Sequence, residues 1–256
     1  MIVKCAPIHS GEGLYVGTIV TLSDISEIRQ AERQREETLR FISHDMRAPQ
    51  NSILALVAMH ENDTGNPDQA ATLQRIAQLS RRTLDLVDGF VQLTRAESMK
   101  IHLCSLDMAD LLREVCDDFW APSRERGITI ELREPLAPAF VMADQALLRR
   151  AMANLLDNAI KYSPRDSHIV CDIQHHATDW VMSVADQGPG IAADQQALVF
   201  QPFVRVAQAA HADAGGAGLG LAFVRTVAER HHGQAVVRSA PGQGSIFILR
   251  LPRQEV

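Results

Sequence analysis

Asn154-Leu-Leu-Asp-Asn158-Ala-Ile-Lys161-Tyr162-Ser-Pro164 combines two helical stripes of opposite character. Asn154, Asn158 and Lys161 follow one another at spacings of four and three, so they share one face of a helix. Leu147, Leu148, Ala151, Leu155 and Ala159 make a largely separate apolar stripe, which sets a helix expected over 145–162 against a core. Asparagine is a mediocre helix former, so two of them at i and i+4 ask for a reason. Neutral carboxamide oxygens suit a magnesium ion whose charge is already balanced by a triphosphate. Lys161 adds a phosphate contact, and Tyr162 offers a flat apolar face for a base. The bland alternative is an amphipathic helix with exposed asparagines, which leaves their pairing unexplained.

Downstream, Val184-Ala-Asp186-Gln-Gly188-Pro-Gly190-Ile ends a strand in a glycine turn. A carboxylate fixed there accepts a hydrogen bond from an exocyclic amine, while Gly188 and Gly190 let a flat ring approach the backbone; the same residues are also ordinary turn chemistry. Gly215-Gly216-Ala-Gly218-Leu219-Gly220-Leu221 opens a helix expected over 218–231, with Gly233 as its C-terminal cap. Glycines at a helix start expose unpaired N–H groups where the dipole favours phosphate. The dinucleotide fingerprint fails, since no strand immediately precedes these glycines, and the Walker pattern fails for want of Gly-Lys-Ser/Thr. The preceding loop, about 204–215, is long and poor in large apolar residues, as suits a lid over a ligand. Arg205, just after Phe200-Gln-Pro-Phe203, is placed in sequence where it could reach a phosphate from that lid.

Upstream of about residue 100 the texture is helical. Leu39, Ile42, Met46, Pro49, Ile53 and Leu56 alternate spacings of three and four, as do Ile76, Leu79, Thr83, Leu86, Phe90 and Leu93. Asn62 to Asp68 is a turn by composition, so the two helices form an antiparallel hairpin. One hairpin has too little core to stand alone, and two pair economically into a dimeric four-helix bundle, a homodimer through residues 24–98. His44 lies about 200° from Ile42, away from the seam, and beside Asp45. An exposed imidazole with a pKa near ~6.5 is available as a nucleophile, and Asp45 can hold or accept its proton. Pro49 cannot donate to the Asp45 carbonyl, so a kink is expected there. A lone His-Asp pair on a solvated helix remains the ordinary reading of these two residues.

Residues 1–22 read as one or two short strands around Gly11 and Gly13, and Ser23-Asp24 as a helix start. Beyond residue 100, strands expected at 101–104, 128–132, 139–142, 168–175, 179–185, 234–239 and 245–251 alternate with helices at 107–119, 145–162 and 218–231. The fold class is therefore α+β: the helical hairpin, then a two-layer α/β sandwich. The expected divisions are 1–22, 23–98 and 99–256.

Composition excludes several classes. Of 256 residues, 46% are hydrophobic, which argues against wholesale disorder. A net charge of −6 and 5% aromatic residues give no footprint for nucleic acid. Cys5, Cys104, Cys116 and Cys171 form no CxxC pair, so a zinc site or disulfide framework is disfavoured and a reducing, cytoplasmic setting is expected. His175-His176 and His231-His232 make poor metal pairs, because adjacent residues do not share a face and no third ligand is evident. No apolar run approaches a membrane span, so no membrane contact is expected of this chain, although a longer parent could be anchored upstream.

Taken together, these blocks resemble the bacterial sensor histidine kinases over residues 24–251. His44 to Pro49 is similar to the family's H-box, Asn154 to Tyr162 to its N-box, and Asp186 to Gly190 to its first glycine box. Phe200 to Phe203 is similar to the F-box, and Gly216 to Leu221 to the second glycine box. The resemblance implies a dimerisation and phosphotransfer hairpin followed by an ATP-binding sandwich of the Hsp90, MutL and gyrase type. It implies ATP with Mg²⁺, and phosphotransfer to the receiver domain of a response regulator. His44 would be the phosphoacceptor and Asp45 its general base. Asn158 would bind magnesium with Asn154 supporting, Lys161 and Arg205 would contact phosphate, Tyr162 would line the adenine pocket, and Asp186 would hold the adenine amine. Gly188, Gly190, Gly216, Gly218, Leu219, Gly220 and Leu221 would shape the pocket and lid. Residues 17–26 look like the last strand of a PAS sensor domain and its exit into the signalling helix.

There are two departures from the family pattern. Ala48 stands where related hairpins often carry Thr or Asn, the side chain thought to orient water for dephosphorylating the regulator. Weak phosphatase activity is therefore expected, and robust turnover of a phosphorylated cognate regulator would contradict it. Gln50-Asn51 stands where an apolar residue is usual. Two other readings remain: an ATPase or kinase of the same sandwich superfamily without a histidine relay, and an ATP-sensing scaffold module.

Overall fold

The computed structural model describes residues 2–9, 11, 14–23, 50–58, 67–133, 135, 137–176, 178–204 and 218–253. The chain divides into two compact units, Met1–Ala48 and Pro49–Val256. His44, Asp45, Ala48, Pro49, Arg205 and Gly216 lie outside the described residues, as does most of the expected hairpin turn.

In the first unit, β1 (Ile2–His9) pairs antiparallel with β2 (Tyr15–Ser23), and the register shifts between Ile8 and His9 as the chain reaches its turn. Ser23, expected at a helix start, is the last residue of β2.

The second unit begins with a helical run over 50–58 (α1) and continues with the long helix α2 (Pro67–Ser98). Two stripes of α2 are apolar. Ala77, Val87 and Val91 are buried, while Ile76, Leu79 and Phe90 of the expected seam stay exposed, at 39%, 52% and 40%.

A small antiparallel sheet follows, β3 (Cys104–Asp107) on β5 (Phe140–Ala143). The strand expected at 101–104 is thus displaced to Cys104–Asp107, because cross-strand partners and not local sequence fix its register. Asp107 caps α3 (Met108–Asp118) through Ala109 N at 2.9 Å and also accepts from Ala139 N at 3.0 Å. The short α4 (Trp120–Glu125) was not anticipated. The main sheet runs β4 (Thr129–Arg133), β6 (His168–His176), β7 (Asp179–Asp186), β9 (Ser245–Pro252), β8 (Gln234–Ser239), with β4 parallel to β6 and the other pairs antiparallel. Residues along β7 alternate half-buried with buried, one face covered and the other open, as in a sheet covered on one side. Helices α5 (Gln145–Tyr162) and α6 (Gly220–Arg230) cover it. The core runs through Leu148, Met152, Leu155 and Leu156 of α5 against Ile169, Met182 and Leu249 of the sheet. The result is the expected two-layer sandwich.

Both helices are fixed at their ends. Asp144 caps α5 by accepting from Leu147 N at 3.2 Å. Its own N–H donates to His231 Nε2 at 2.9 Å, so the buried ring carries its proton on Nδ1, which donates to Val227 O at 2.7 Å. His231 is therefore a structural histidine that ties α6 to the start of α5. At the end of α6 the left-handed residue is His232 (φ 57°), not Gly233. Gly233 N donates to Ala228 O and His232 N to Glu229 O, closing a Schellman cap. Glycine is needed at 233 for another reason: a Cβ there would sit 2.0 Å from Arg250 O of β9. Cys116 and Cys171, distant in sequence, meet across the α3–β6 layer as hydrogen-bonded thiols. This contact lowers the pKa of Cys116 and raises that of Cys171.

Candidate functional site

A cavity of about 460 Å³ opens where α5, the start of α6 and the turn after β7 converge. Asn154, Asn158, Lys161 and Tyr162 line it from α5; Asp186 and Gly190 line it from the turn; Gly218, Leu219, Gly220 and Leu221 line it from α6 and its approach. The residues singled out at three separate places in the sequence thus share one cavity.

Asp186 is its most unusual group. It ends β7, is 9% exposed, and its Oδ1 accepts from Gly188 N at 2.7 Å and from Ser245 N at 3.1 Å. Two donors on Oδ1 leave Oδ2 as the remaining acceptor on a residue that lines the cavity. Burial pushes the carboxyl up to about 6, against the pull of the two backbone N–H groups. Gly188 stands behind Asp186 as a donor instead of lining the cavity. Gly190 does line it, at φ 75°, where a Cβ would come within 1.9 Å of Ala240 O. Gly242 N donates to Pro189 O at 2.7 Å, so the loop behind cannot easily retreat. Gly190→Ala is expected to lower stability by at least about 3 kcal/mol, from left-handed strain plus a backbone clash. Chemical denaturation checks this, and a wild-type midpoint would contradict it.

On α5, Asn154 Nδ2 donates to Gly220 O at 3.3 Å, tying the asparagine stripe to the first turn of α6. Among the described residues the Asn158 carboxamide has no hydrogen-bond partner, and it borders the cavity. Lys161 pairs with Asp157 at 3.2 Å, a half-exposed i,i+4 contact worth only ~0.3–0.5 kcal/mol, so exchanging it for a phosphate costs little. The start of α6 has no side-chain cap, which leaves its first N–H groups to a ligand.

Sequence reasoning missed the wall that α2 supplies: Asp85, Asp88, Gly89 and Gln92. It also missed Arg150, whose guanidinium stands 5.7 Å above the Phe223 ring. Burial lowers the pKa of Arg150 and Asp88 opposes that shift. A signal existed in Gly89, since glycine inside a helix costs about 1 kcal/mol. A Cβ at Gly89 would lie 3.0 Å from Leu219 Cδ1, so the glycine lets α2 approach the start of α6. Ser245, which helps hold Asp186 from 59 residues away, left no local signal.

Residues 143–255 match the family model described as histidine kinase-, DNA gyrase B-, and HSP90-like ATPase, and residues 34–98 match the His kinase A (phospho-acceptor) domain. The chain belongs to the two-component sensor histidine kinases. It is 31% identical to the adaptive-response sensory kinase SasA of Synechocystis sp., over 95% of this chain and 66% of that protein. It is 28% identical to the alginate biosynthesis sensor protein KinB of Pseudomonas aeruginosa, over 96% of this chain and 42% of that protein. The chain thus spans between two fifths and two thirds of the length of these curated relatives. Among solved structures, full-length ShkA in complex with AMPPNP superposes with a TM-score of 0.65 at 28% identity, over 86% of this chain and 46% of that one.

Proposed function

We propose that this chain is an ATP-dependent histidine autokinase, which takes the γ-phosphoryl group of ATP onto His44 and passes it to an aspartate on the receiver domain of a response regulator. The observation that carries the ATP half is Asp186, a buried carboxylate with one oxygen saturated by backbone donors and the other left for an amine. The histidine half rests on the phospho-acceptor match over 34–98, which contains His44.

Adenine would enter beside Tyr162 and donate its amine to Asp186, while Gly190 keeps the turn low enough for a flat ring and Gly188 holds the carboxylate from behind. The phosphates would lie toward Lys161, Arg205 and the N–H groups at the start of α6, with Gly216, Gly218 and Gly220 shaping the lid around them. Among the described residues no group of three His, Cys, Asp or Glu is arranged to hold a metal ion, and the cavity offers Asn158 with Asn154 beside it. Neutral carboxamides of this kind fit Mg²⁺: Asn158, with Asn154 supporting, would hold it, and it would supply charge neutralisation to the phosphates. An imidazole nitrogen of His44 attacks the γ-phosphorus in line. The N–P bond forms as the P–O bond to ADP breaks, and Asp45 holds or accepts the proton of the other ring nitrogen. Catalysis is then positioning and charge neutralisation.

The exposed Ile76, Leu79 and Phe90 support a homodimer through 24–98, with 1–22 as the end of a PAS domain and 99–256 as the catalytic domain. Among the described residues no helix is long and apolar enough to cross a membrane, and we place this part of the protein in the cytoplasm. The test compares ATP labelled at the γ- and at the α-phosphate, each with Mg²⁺. Retention of γ label alone is expected; nucleotide binding with neither label retained would favour the sensing-module reading.

A further inference from the structure

Arg126 lies outside the cavity, in the turn that follows α4, yet its side chain ends on α5. Its Nη1 donates to Ile160 O at 2.6 Å and to Lys161 O at 3.0 Å, and its Nη2 donates to Ser163 O at 3.1 Å. The need for these bonds is written in the sequence. The helical donor for Ile160 O would be the N–H of residue 164, and Pro164 has none. A cation here also meets the negative end of the α5 dipole. Arg126 itself is held by its main chain, donating to Ser123 O at 3.1 Å and accepting from Asp166 N at 3.0 Å.

The carbonyl that Arg126 skips belongs to Tyr162, and it lies close to Gly188 in the turn that carries Asp186. A Cβ on Gly188 would stand only 3.1 Å from Tyr162 O. The segment Ile160–Ser163 is therefore clamped between a guanidinium and the glycine turn that carries Asp186. Lys161 and Tyr162, the two cavity-lining side chains of that segment, inherit their height from this clamp.

We infer that Arg126 is a positioning residue for the nucleotide site: it sets Lys161 and Tyr162 at the right level against Asp186 without touching the nucleotide. The inference rests on the nucleotide-binding reading above. Three carbonyls within reach of one planar fork explain the choice of arginine, and lysine would satisfy only part of the set.

The test is calorimetric titration of the full chain with Mg-ADP. Arg126→Met is expected to raise Kd by ~10-fold or more with full stoichiometry, and Arg126→Lys to recover only part of that loss. A merely structural role predicts the opposite pattern: fewer competent molecules, each with the wild-type Kd. Arg126→Gln keeps one amide donor and serves if the methionine variant does not fold, again with a raised Kd expected. Wild-type Kd in a folded Met or Gln variant would overturn the role of Arg126. Failure of the unaltered chain to bind Mg-ADP would instead overturn the nucleotide reading beneath it.

Discussion

Replacing Asp186 by asparagine is expected to abolish tight ATP binding while making the empty protein more stable at pH 8. The carboxamide keeps the shape, and its oxygen takes the place of Oδ1 to accept from Gly188 and Ser245. That fixes the amide nitrogen where Oδ2 was, so a donor now faces the donor amine of adenine. Loss of a charge-assisted bond of about 1.5–3 kcal/mol, with donor facing donor, weakens binding by roughly 100-fold or more. Stability moves the other way. Because burial holds the folded-state pKa at about 6, above the ordinary value near ~4, protonation favours the fold. The carboxyl's favourable contribution is fully present below about pH 4 and is lost as pH rises through about 6. At pH 8 the buried charge costs on the order of 2–3 kcal/mol, which asparagine removes. Thermal melts should show the variant several degrees more stable at pH 8, with the gap closing by pH 4. In the wild type, ATP affinity should fall as pH drops through about 6, since the protonated carboxyl is a poorer acceptor. A variant that binds ATP normally, or melts lower at pH 8, would count against Asp186 as the adenine contact.

His44→Gln is expected to remove phosphorylation entirely while leaving the ATP Kd within about twofold. Glutamine fills a similar volume and hydrogen-bonds, but it has no nitrogen lone pair able to attack phosphorus at neutral pH. Because the cavity is built from α2, α5, α6 and the turn at Asp186, nucleotide binding does not depend on this side chain. Label surviving at wild-type levels would point to an ATPase-superfamily kinase without a histidine relay.

Much of the site was legible because its chemistry is local. The expected helix at 145–162 matches α5 to the residue, since Asp144 caps one end and Ser163-Pro164 stops the other. The asparagine stripe, the Asp186 turn and the glycines before α6 were each readable in place. What failed was long-range. The register of β3 is set by β5, some forty residues on, and the shift from 101–104 to Cys104–Asp107 follows from that pairing. Helix α4 is too short to display a period, although Pro122 in its first turn is a helix-start signal. Gly233 read as a handedness requirement and proved to be a packing one. The α2 wall of the cavity and the reach of Arg126 to α5 are tertiary contacts that no spacing along one element encodes. Pro164 did announce that Ile160 O would need a donor, but not which residue would supply it.

The autokinase proposed above carries its phosphoryl group on a nitrogen of His44. The most direct measurement labels the protein with Mg²⁺ and γ-labelled ATP, divides it between acid and alkali, and maps the surviving label by peptide mass. Label that is lost in acid, kept in alkali and located in the peptide containing His44 is the predicted result. Label that survives acid, or that maps to a serine, threonine or tyrosine, would contradict it.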